Sequence, residues 1–154
     1  MGSYFDDFTV GDTYRTPGRT IIEADVGVYS MLTGDYDEKH TNMDKFGRDG
    51  RRIVPHMLLF AVCHGLLCRT GILEGFGGVA FAGVDDIEFM APVYVGDTIY
   101  GTIRIAEKRL SKSKPDRGLV YFDYTLVNQR GEAVQHSVQK LMRLVREPGG
   151  GVKA

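Results

Sequence analysis

The hydrophobic pattern of the chain changes its period near residue 79. Upstream, apolar residues recur with helical spacing over residues 23–33 and form an almost unbroken apolar run over residues 56–68. Downstream, Val, Ile, Phe, Tyr and Thr alternate with polar residues, which is the period of a strand with one buried face. Because turn-forming residues separate the alternating segments, they predict four long strands joined by hairpin turns in an antiparallel meander. The four segments are 79–90, 98–109, 119–128 and 132–146.

Residues 23–33 predict a short amphipathic helix. Glu23 and Asp25 fall in its first turn, where negative charge is favoured by the helix dipole. Gly34 should end the helix, because glycine tolerates the left-handed conformation of a C-terminal cap. The chain should then form a loop over residues 35–40 and a polar connection up to residue 52. The face expected to be buried carries Val26, Tyr29, Leu32 and Thr33.

Residues 56–68 predict a helix that is apolar on nearly every side and should therefore be enclosed by the rest of the domain. Pro55 suits its start. Cys63 and Cys68 fall inside it, and we interpret both as small buried hydrophobic residues and not as a disulfide or a zinc site. A sheet with one apolar face needs cover, which this helix can supply. The pattern predicts an α+β fold, with a long antiparallel sheet wrapped around a central apolar helix.

The composition is typical of a single soluble globular domain, with 154 residues, 43% of them hydrophobic and 25% charged. A net charge of −1 gives no reason to expect a nucleic-acid partner. The acidic N-terminus has no apolar run, and no apolar segment reaches the roughly 18 residues that a membrane span needs. We expect a cytoplasmic protein without a membrane partner, with one domain over residues 1–147 and a disordered tail over residues 148–154.

Three motifs occur in order along the chain. Residues 20–26 read T-I-I-E-A-D-V, residues 34–40 read G-D-Y-D-E-K-H, and residues 89–98 read F-M-A-P-V-Y-V-G-D-T. They resemble the motifs T-x-T-E-x-D-V, G-D-x-N-P-x-H and F-x-x-P-V-x-x-G-D-T of the MaoC-like dehydratases, which include the (R)-specific enoyl-CoA hydratases. This family has the hot-dog fold, which is the architecture that the hydrophobic pattern predicts. The resemblance covers roughly residues 4–146.

The resemblance implies that Asp35 and His40 are the catalytic pair of a hydratase or dehydratase. An acid and an imidazole held close together can take a proton from water and return one to a substrate carbon. The implied substrate is an acyl-CoA, or an acyl carrier protein thioester, and no cofactor or metal is expected. Because one domain leaves a sheet edge open and the site half covered, we expect a homodimer, or a multiple of it, with the active site at the interface.

Removing a proton beside a thioester carbonyl builds negative charge on its oxygen, so the reaction needs an oxyanion site. The unpaired N–H groups at the start of the 56–68 helix can supply one. Alignment through Met57 places His56 at a glycine of the family, whereas a shift of one residue would match His56 to the family histidine. His64 stands where family members tend to carry a hydroxyl. The resemblance makes His56, Met57 and His64 the candidate substrate-binding residues.

Other polar residues leave alternatives open. Asp37 and Glu38 replace the Asn and Pro of the family motif and add two potential negative charges beside Asp35. His64 is either part of the active site or a hydrogen-bonded core histidine, and His136 is expected at the surface or an interface. One cluster either contacts the phosphates of coenzyme A or forms a solvated basic turn: Lys112, Lys114 and Arg117.

Two other functions compete with a hydratase. A hot-dog thioesterase shares the fold and the thioester substrate, but such enzymes often carry an acidic residue on the central helix, and residues 57–68 contain none. A non-catalytic acyl-CoA-binding domain would explain the altered Asn-Pro and His-Gly positions of the family motifs, while the presence of both Asp35 and His40 argues against it.

Overall fold

An antiparallel sheet wraps around one central helix in the computed structural model, which describes residues 4–146. The long strands are β3 (Gly78–Phe89), β4 (Thr98–Leu110), β5 (Arg117–Asn128) and β6 (Ala133–Leu144), and two short strands precede them, β1 (Thr13–Arg15) and β2 (Arg19–Thr20). The helices are α1 (Glu23–Thr33), α2 (Glu38–Thr41), α3 (Met43–Phe46) and α4 (His56–Cys68). The predicted α+β hot-dog architecture is confirmed, with α4 as its central helix.

The strand order is β1-β4-β5-β6-β3, with β2 also paired to β4. The predicted meander is therefore correct for β4, β5 and β6 but wrong for β3, which pairs with β6 and not with β4. The cause is the connection between β3 and β4. Its residues form a second small ladder, in which the Val54 N–H donates to the Val93 carbonyl at 2.8 Å and the Val95 N–H donates to the Arg52 carbonyl at 2.8 Å. This ladder carries the chain across the domain instead of reversing it in a hairpin.

The core lies between one face of α4 and the concave face of the sheet. The apolar residues that face inward from the sheet are fully or almost fully buried: Ile99, Ile103, Ile105, Val120, Phe122, Leu126 and Leu141. The helix contributes Leu58, Leu59, Val62, Cys63, Leu66 and Leu67. Full burial of one such Leu or Ile side chain contributes about 1.5–3 kcal/mol. The prediction that α4 covers the apolar face of the sheet is confirmed.

The outer face of α4 is not covered within this chain. Met57 is 53% exposed, and Ala61, Gly65 and Cys68 are exposed as well. The expectation that the helix is enclosed on nearly every side is therefore wrong for a single chain, and so is the expectation that Cys68 is buried. Cys63 is buried as predicted, and both thiols are free. An apolar helix with an open flank indicates a surface that another element can cover.

Helix α1 has the predicted bounds and both predicted end signals. The Asp25 carboxylate accepts a hydrogen bond from the Ile22 N–H at 2.9 Å, and Gly34 ends the helix in the left-handed conformation with φ of 77°. Val26 is buried, but Leu32 is 83% exposed, so the predicted buried face is only partly correct. The short elements β1, β2, α2 and α3 were not predicted, because two to four residues are too few to show a period.

No helix in the described part of the chain has the length and apolar character needed to cross a membrane. The predicted disordered tail over residues 148–154 lies outside the described residues.

Candidate active site

The segment that carries Asp35 and His40 is built by short-range hydrogen bonds. After Gly34, the Asp35 N–H donates to Thr33 Oγ1 at 3.2 Å, and the Asp37 N–H donates to Asp35 Oδ1 at 3.3 Å. Asp37 is the N-cap of α2, and its Oδ1 accepts from the Lys39 N–H at 2.8 Å. The predicted loop is therefore confirmed for residues 35–37 and wrong for residues 38–40, which lie in the single helical turn of α2. The Asp37 side chain is thus engaged by the backbone of α2.

His40 lies in that turn and is buried, with 8% of its surface exposed. Its Nδ1 lies 3.2 Å from the carbonyl oxygen of Ile53. Because a carbonyl can only accept, Nδ1 carries the proton and the neutral ring has its lone pair on Nε2. The imidazole is thereby held in the tautomer that leaves Nε2 available as a base.

Asp35 is half-buried and keeps Oδ2 free of hydrogen bonds among the described residues. In the same part of the chain, no hydrogen bond joins Asp35 to His40. Asp35 lies in the segment that precedes α2, and His40 lies within α2.

The start of α4 lies next to the residue that anchors His40. Ile53 is three residues before His56, the first residue of α4. Pro55 gives the helix no side-chain cap, and the first backbone bond runs from the Leu59 N–H to the Pro55 carbonyl at 3.0 Å. Within the described residues, the N–H groups of His56 and Met57 have no acceptor. An uncapped helix start of this kind favours negative charge.

Two predicted substrate-binding residues are located at this helix start. The His56 side chain is exposed and packs against the Phe89 ring at a tilt of 43°, with 4.7 Å between ring centres. Met57 is exposed beside it. The structure therefore brings His40, through Ile53, to the same end of α4 as His56 and Met57.

His64 lies two turns further along α4, about 12 Å from His56 along the helix axis at about 1.5 Å per residue. Its Nδ1 lies 3.0 Å from Gln139 Oε1 on β6, and its ring meets Phe81 edge-on at 5.0 Å. Gln139 Nε2 donates to Cys63 Sγ at 3.4 Å, which fixes the amide with its oxygen toward His64. His64 is half-buried and hydrogen-bonded, at the edge of the core.

Cys63 and its surroundings form a buried polar cluster beneath α4. Burial raises the pKa of the Cys63 thiol to about 12, so it stays protonated at neutral pH. The polar side chains at the inward positions of β6 are Gln135, Ser137 and Gln139, all fully buried. The sequence carried a signal for them, since they alternate in phase with the buried face of the strand. The Ile53 carbonyl, by contrast, has no side-chain signature.

The other polar residues discussed from the sequence lie away from the start of α4. At the start of β5, the Arg117 guanidinium forms two hydrogen bonds with Asp116 of the preceding turn, at 2.7 and 2.8 Å, which fits a solvated basic turn. His136 Nε2 lies 2.8 Å from Asp123 Oδ1, and both are half-buried side chains of the sheet. The described residues contain no group of three or more His, Cys, Asp or Glu side chains placed to hold a metal ion.

A second polar centre that the sequence did not reveal surrounds Asp97. This carboxylate is fully buried and accepts from Arg51 Nη1 at 2.9 Å, from Gln129 Nε2 at 2.8 Å and from the Tyr94 N–H at 3.0 Å. Burial alone would raise the pKa of Asp97, but the hydrogen bonds and the Arg51 charge outweigh it and hold the pKa below its ordinary value. Asp97 therefore ties the start of β4 to the segment that leads into α4.

Comparison with known proteins identifies the domain. The family model described as MaoC like domain matches residues 7–122. Protein MaoC from Klebsiella aerogenes is 34% identical over 110 residues, which is 69% of this chain but only 31% of that protein. The chain therefore spans about a third of this curated relative.

Two solved structures share the fold over most of the chain. The monoamine oxidase regulatory protein from Archaeoglobus fulgidus superimposes with a TM-score of 0.85 at 27% identity, covering 94% of this chain and 96% of that one. The R-hydratase PhaJ1 from Pseudomonas aeruginosa superimposes with a TM-score of 0.71 at 21% identity, covering 94% and 88%. At that identity the second likeness shows the fold alone. The family-model match, the curated relative and the motifs around Asp35 and His40 agree, and the chain belongs to the MaoC-like dehydratase family.

Proposed function

We propose that this protein adds water across the 2,3 double bond of an enoyl thioester, or removes it from a 3-hydroxyacyl thioester. The observation that carries the proposal is the environment of His40. A buried imidazole whose Nδ1 is bound to the Ile53 carbonyl presents a basic Nε2. Asp35 lies in the segment just before α2, and its Oδ2 accepts no hydrogen bond from the described residues. Membership of a dehydratase family and the shared fold with PhaJ1, whose name describes an R-hydratase, support the same chemistry.

In the hydration direction, Asp35 and His40 hold one water molecule between them. As the water oxygen forms a bond to C3, one of its protons passes to the pair, and the C2–C3 double bond becomes an enolate with its negative charge on the thioester oxygen. A proton from the pair then adds to C2, which restores the carbonyl. Dehydration follows the same steps in reverse. The pair returns to its starting protonation state, so no cofactor or metal is needed.

The N–H groups of His56 and Met57 are the proposed oxyanion donors. They point out of an uncapped helix start, where the dipole of α4 adds to their effect. Removing a single oxyanion donor in other enzymes costs about 10²–10³ in rate. The exposed side chains of His56 and Met57 would line the acyl group, and His64 would lie deeper along α4, oriented by Gln139.

We further propose that the active unit is a homodimer or a multiple of it. Strand β3 pairs only with β6 among the described residues, so its other edge is open. Apolar side chains on β3 are exposed, including Phe81 at 45%, and the open flank of α4 with Met57 is exposed as well. A second copy covering this surface would bury them and enclose the site. A fully active monomer in solution would contradict this.

The test of function compares three reactions of one protein. Hydration of crotonyl-CoA should be detected, with the loss of enoyl thioester absorbance and no release of free thiol. Thioester hydrolysis without hydration would identify a thioesterase, and acyl-CoA binding without either reaction would identify a non-catalytic domain. The substrate is proposed to be an acyl-CoA or an acyl carrier protein thioester, encountered in the cytoplasm.

A further inference from the structure

We propose that the surface pocket lined by Arg48, Arg51 and Arg130 binds a phosphate group of the thioester's carrier arm. The pocket has a volume of about 440 Å³, and Pro92 and Tyr94 complete its wall. The shared ligand chemistry is a phosphate ester, present in coenzyme A and in the phosphopantetheine arm of a carrier protein. This inference rests on the proposed function and names the place where the non-reacting part of the substrate binds.

The arginines are positioned by the buried carboxylate of Asp97. Arg51 Nη1 lies 2.9 Å and Arg130 Nη1 lies 3.6 Å from the same Asp97 oxygen, although the two arginines are far apart in the chain. Arg51 also lies over the ring of Tyr94, 5.3 Å from its centre. A guanidinium has five N–H donors, so groups held through one or two of them keep others for a phosphate. The pocket is therefore preorganised for a planar, multidentate contact to an oxyanion.

Two acidic side chains also line the pocket, and their negative charges should weaken phosphate binding. Asp49 lies 3.9 Å from Arg48 in an exposed pair, and Glu132 lies 3.2 Å from Arg130. The Glu132 carboxylate lies beside the Arg130 guanidinium, where its negative charge repels a bound phosphate. Removing the charge of Glu132 should therefore strengthen phosphate binding, whereas removing the charge of Arg48 or Arg130 should weaken it.

The pocket is joined to the catalytic turn by a short ladder of backbone hydrogen bonds. The Val95 N–H donates to the Arg52 carbonyl, and the Val54 N–H donates to the Val93 carbonyl, each at 2.8 Å. Between these two bonds lies Ile53, whose carbonyl anchors His40. One pair of chain segments thus carries the arginine pocket at one end and the support of the base at the other. A carrier arm bound in the pocket would be directed toward His40.

The basic turn between β4 and β5 is the competing location for the phosphates. It lies at the far end of β4, which has 13 residues and spans about 40 Å at about 3.3 Å per residue. The opposite end of β4 begins at Thr98, directly after Asp97, and therefore lies beside the arginine pocket. Arg117 in the turn is already paired with Asp116 through two hydrogen bonds. The pocket around Arg48 and Arg130 is the better placed of the two.

The experiment compares kcat/KM for crotonyl-CoA with kcat/KM for crotonyl-N-acetylcysteamine, a thioester without phosphate. The ratio of the two values reports the contribution of the part of coenzyme A that N-acetylcysteamine lacks, which includes its phosphates, and a change of the ratio in one variant reports a contact to that part. Arg48→Gln and Arg130→Gln should each lower the ratio about tenfold, the effect of losing one charge-assisted hydrogen bond. Glu132→Gln should raise it. Arg104→Gln, an exposed arginine on β4, is the matched control and should leave it unchanged.

The outcomes separate the inference from the proposed function. Hydration of both thioesters with the same ratio in every variant would overturn the inference and leave the function standing. A fall in the ratio for Lys112→Gln or Lys114→Gln, but not for Arg130→Gln, would place the phosphates at the basic turn and overturn it as well. If neither thioester reacts, the function fails, and calorimetric titration with free coenzyme A and with pantetheine still tests the pocket. Weaker binding of coenzyme A by Arg130→Gln, with pantetheine unaffected, would support it, and identical coenzyme A binding by Arg130→Gln and the parent protein would overturn it.

A phosphopantetheine thioester, which has one phosphate and no nucleotide, distinguishes the two sources. If Arg130→Gln lowers kcat/KM for this substrate as much as for crotonyl-CoA, the pocket binds the phosphate common to both carriers. If only the coenzyme A substrate is affected, the pocket binds a phosphate of the nucleotide part. Both results support the pocket as the phosphate site, and no loss with either substrate would contradict it.

Discussion

The carbonyl of Ile53 holds the imidazole of His40 at 3.2 Å, across a sequence separation of 13 residues. This bond joins the turn after α1 to the segment that enters α4. It sets the tautomer of the base, and it brings that base to the helix end where the N–H groups of His56 and Met57 have no acceptor among the described residues. The proposed proton transfer depends on this hydrogen bond between the two segments more than on the sequence of either segment alone.

The first prediction concerns the catalytic pair. Asp35→Asn and His40→Ala should each lower kcat by about 10²–10⁴, because each removes one of the two groups that transfer the proton. The double variant should lose much less than the product of the two effects, since the residues act as a unit. His136→Ala, which removes a histidine that pairs with Asp123 on the sheet, is the control for kcat. Near-normal turnover of either single variant would refute the assignment.

Asp37 provides a test of whether its cap or its charge matters. The residue caps α2 through a hydrogen bond to the Lys39 N–H. Asn can make the same bond, so Asp37→Asn should retain activity. Asp37→Ala loses the cap, which costs about 0.5–2 kcal/mol, and should loosen the turn that carries His40 and lower kcat. If Asp37→Asn is as defective as Asp37→Ala, the negative charge itself takes part in the reaction.

His64 and Gln139 should behave as a coupled pair in stability measurements. Gln139→Leu leaves His64 Nδ1 without its partner inside the protein, which should cost about 1–3 kcal/mol in the free energy of unfolding. Replacing both residues with Leu removes the unpaired group, so the double variant should be more stable than the sum of the single effects indicates. Urea unfolding of the four proteins measures this coupling, and strictly additive losses would show that the hydrogen bond contributes nothing.

The buried Asp97 predicts a pH dependence of stability in the acid range. Its pKa is lowered in the folded protein, so its ionised form stabilises the fold at any pH above its unfolded value of about 3.9. That contribution should be lost as the pH falls below about 4 and approaches the folded value. Asp97→Asn should therefore show a shallower loss of Tm between about pH 6 and pH 2 than the parent protein. Asp44→Asn, at an exposed position, should follow the parent curve.

The sequence predicted the elements whose residues repeat a period over many positions. The bounds of α1 and α4 and the strands β4, β5 and β6 could be predicted because burial selects side chains at every turn or every second residue. Strand β3 was predicted from the alternation of its residue types, although most of its residues are exposed in one chain. The partner of β3 could not, because alternation shows which face of a strand is buried and says nothing about which strand lies beside it. The uncovered flank of α4 was missed for a similar reason, since an apolar surface looks the same whether the same chain or another one covers it.

The sequence predicted the motif residues of the candidate site. It did not predict the groups that hold those residues in place. Asp35 and His40 were identified by their resemblance to a family motif. The Ile53 carbonyl and the free N–H groups of α4 are backbone atoms that any residue could supply. Asp97 is part of the motif over residues 89–98. Its contacts with Arg51 and Arg130 could not be predicted, because they join three segments that meet only in the folded chain.

The most direct test of the central claim is the structure of the product formed in heavy water. Incubation of a crotonyl thioester with the protein in D₂O should give the 3-hydroxybutyryl thioester with one deuterium at C2, as a single diastereomer by NMR. The reaction should require both Asp35 and His40, and the Asp35→Asn and His40→Ala variants should form the product far more slowly. Recovery of crotonate and free thiol, or of unchanged substrate bound to the protein, would contradict the account.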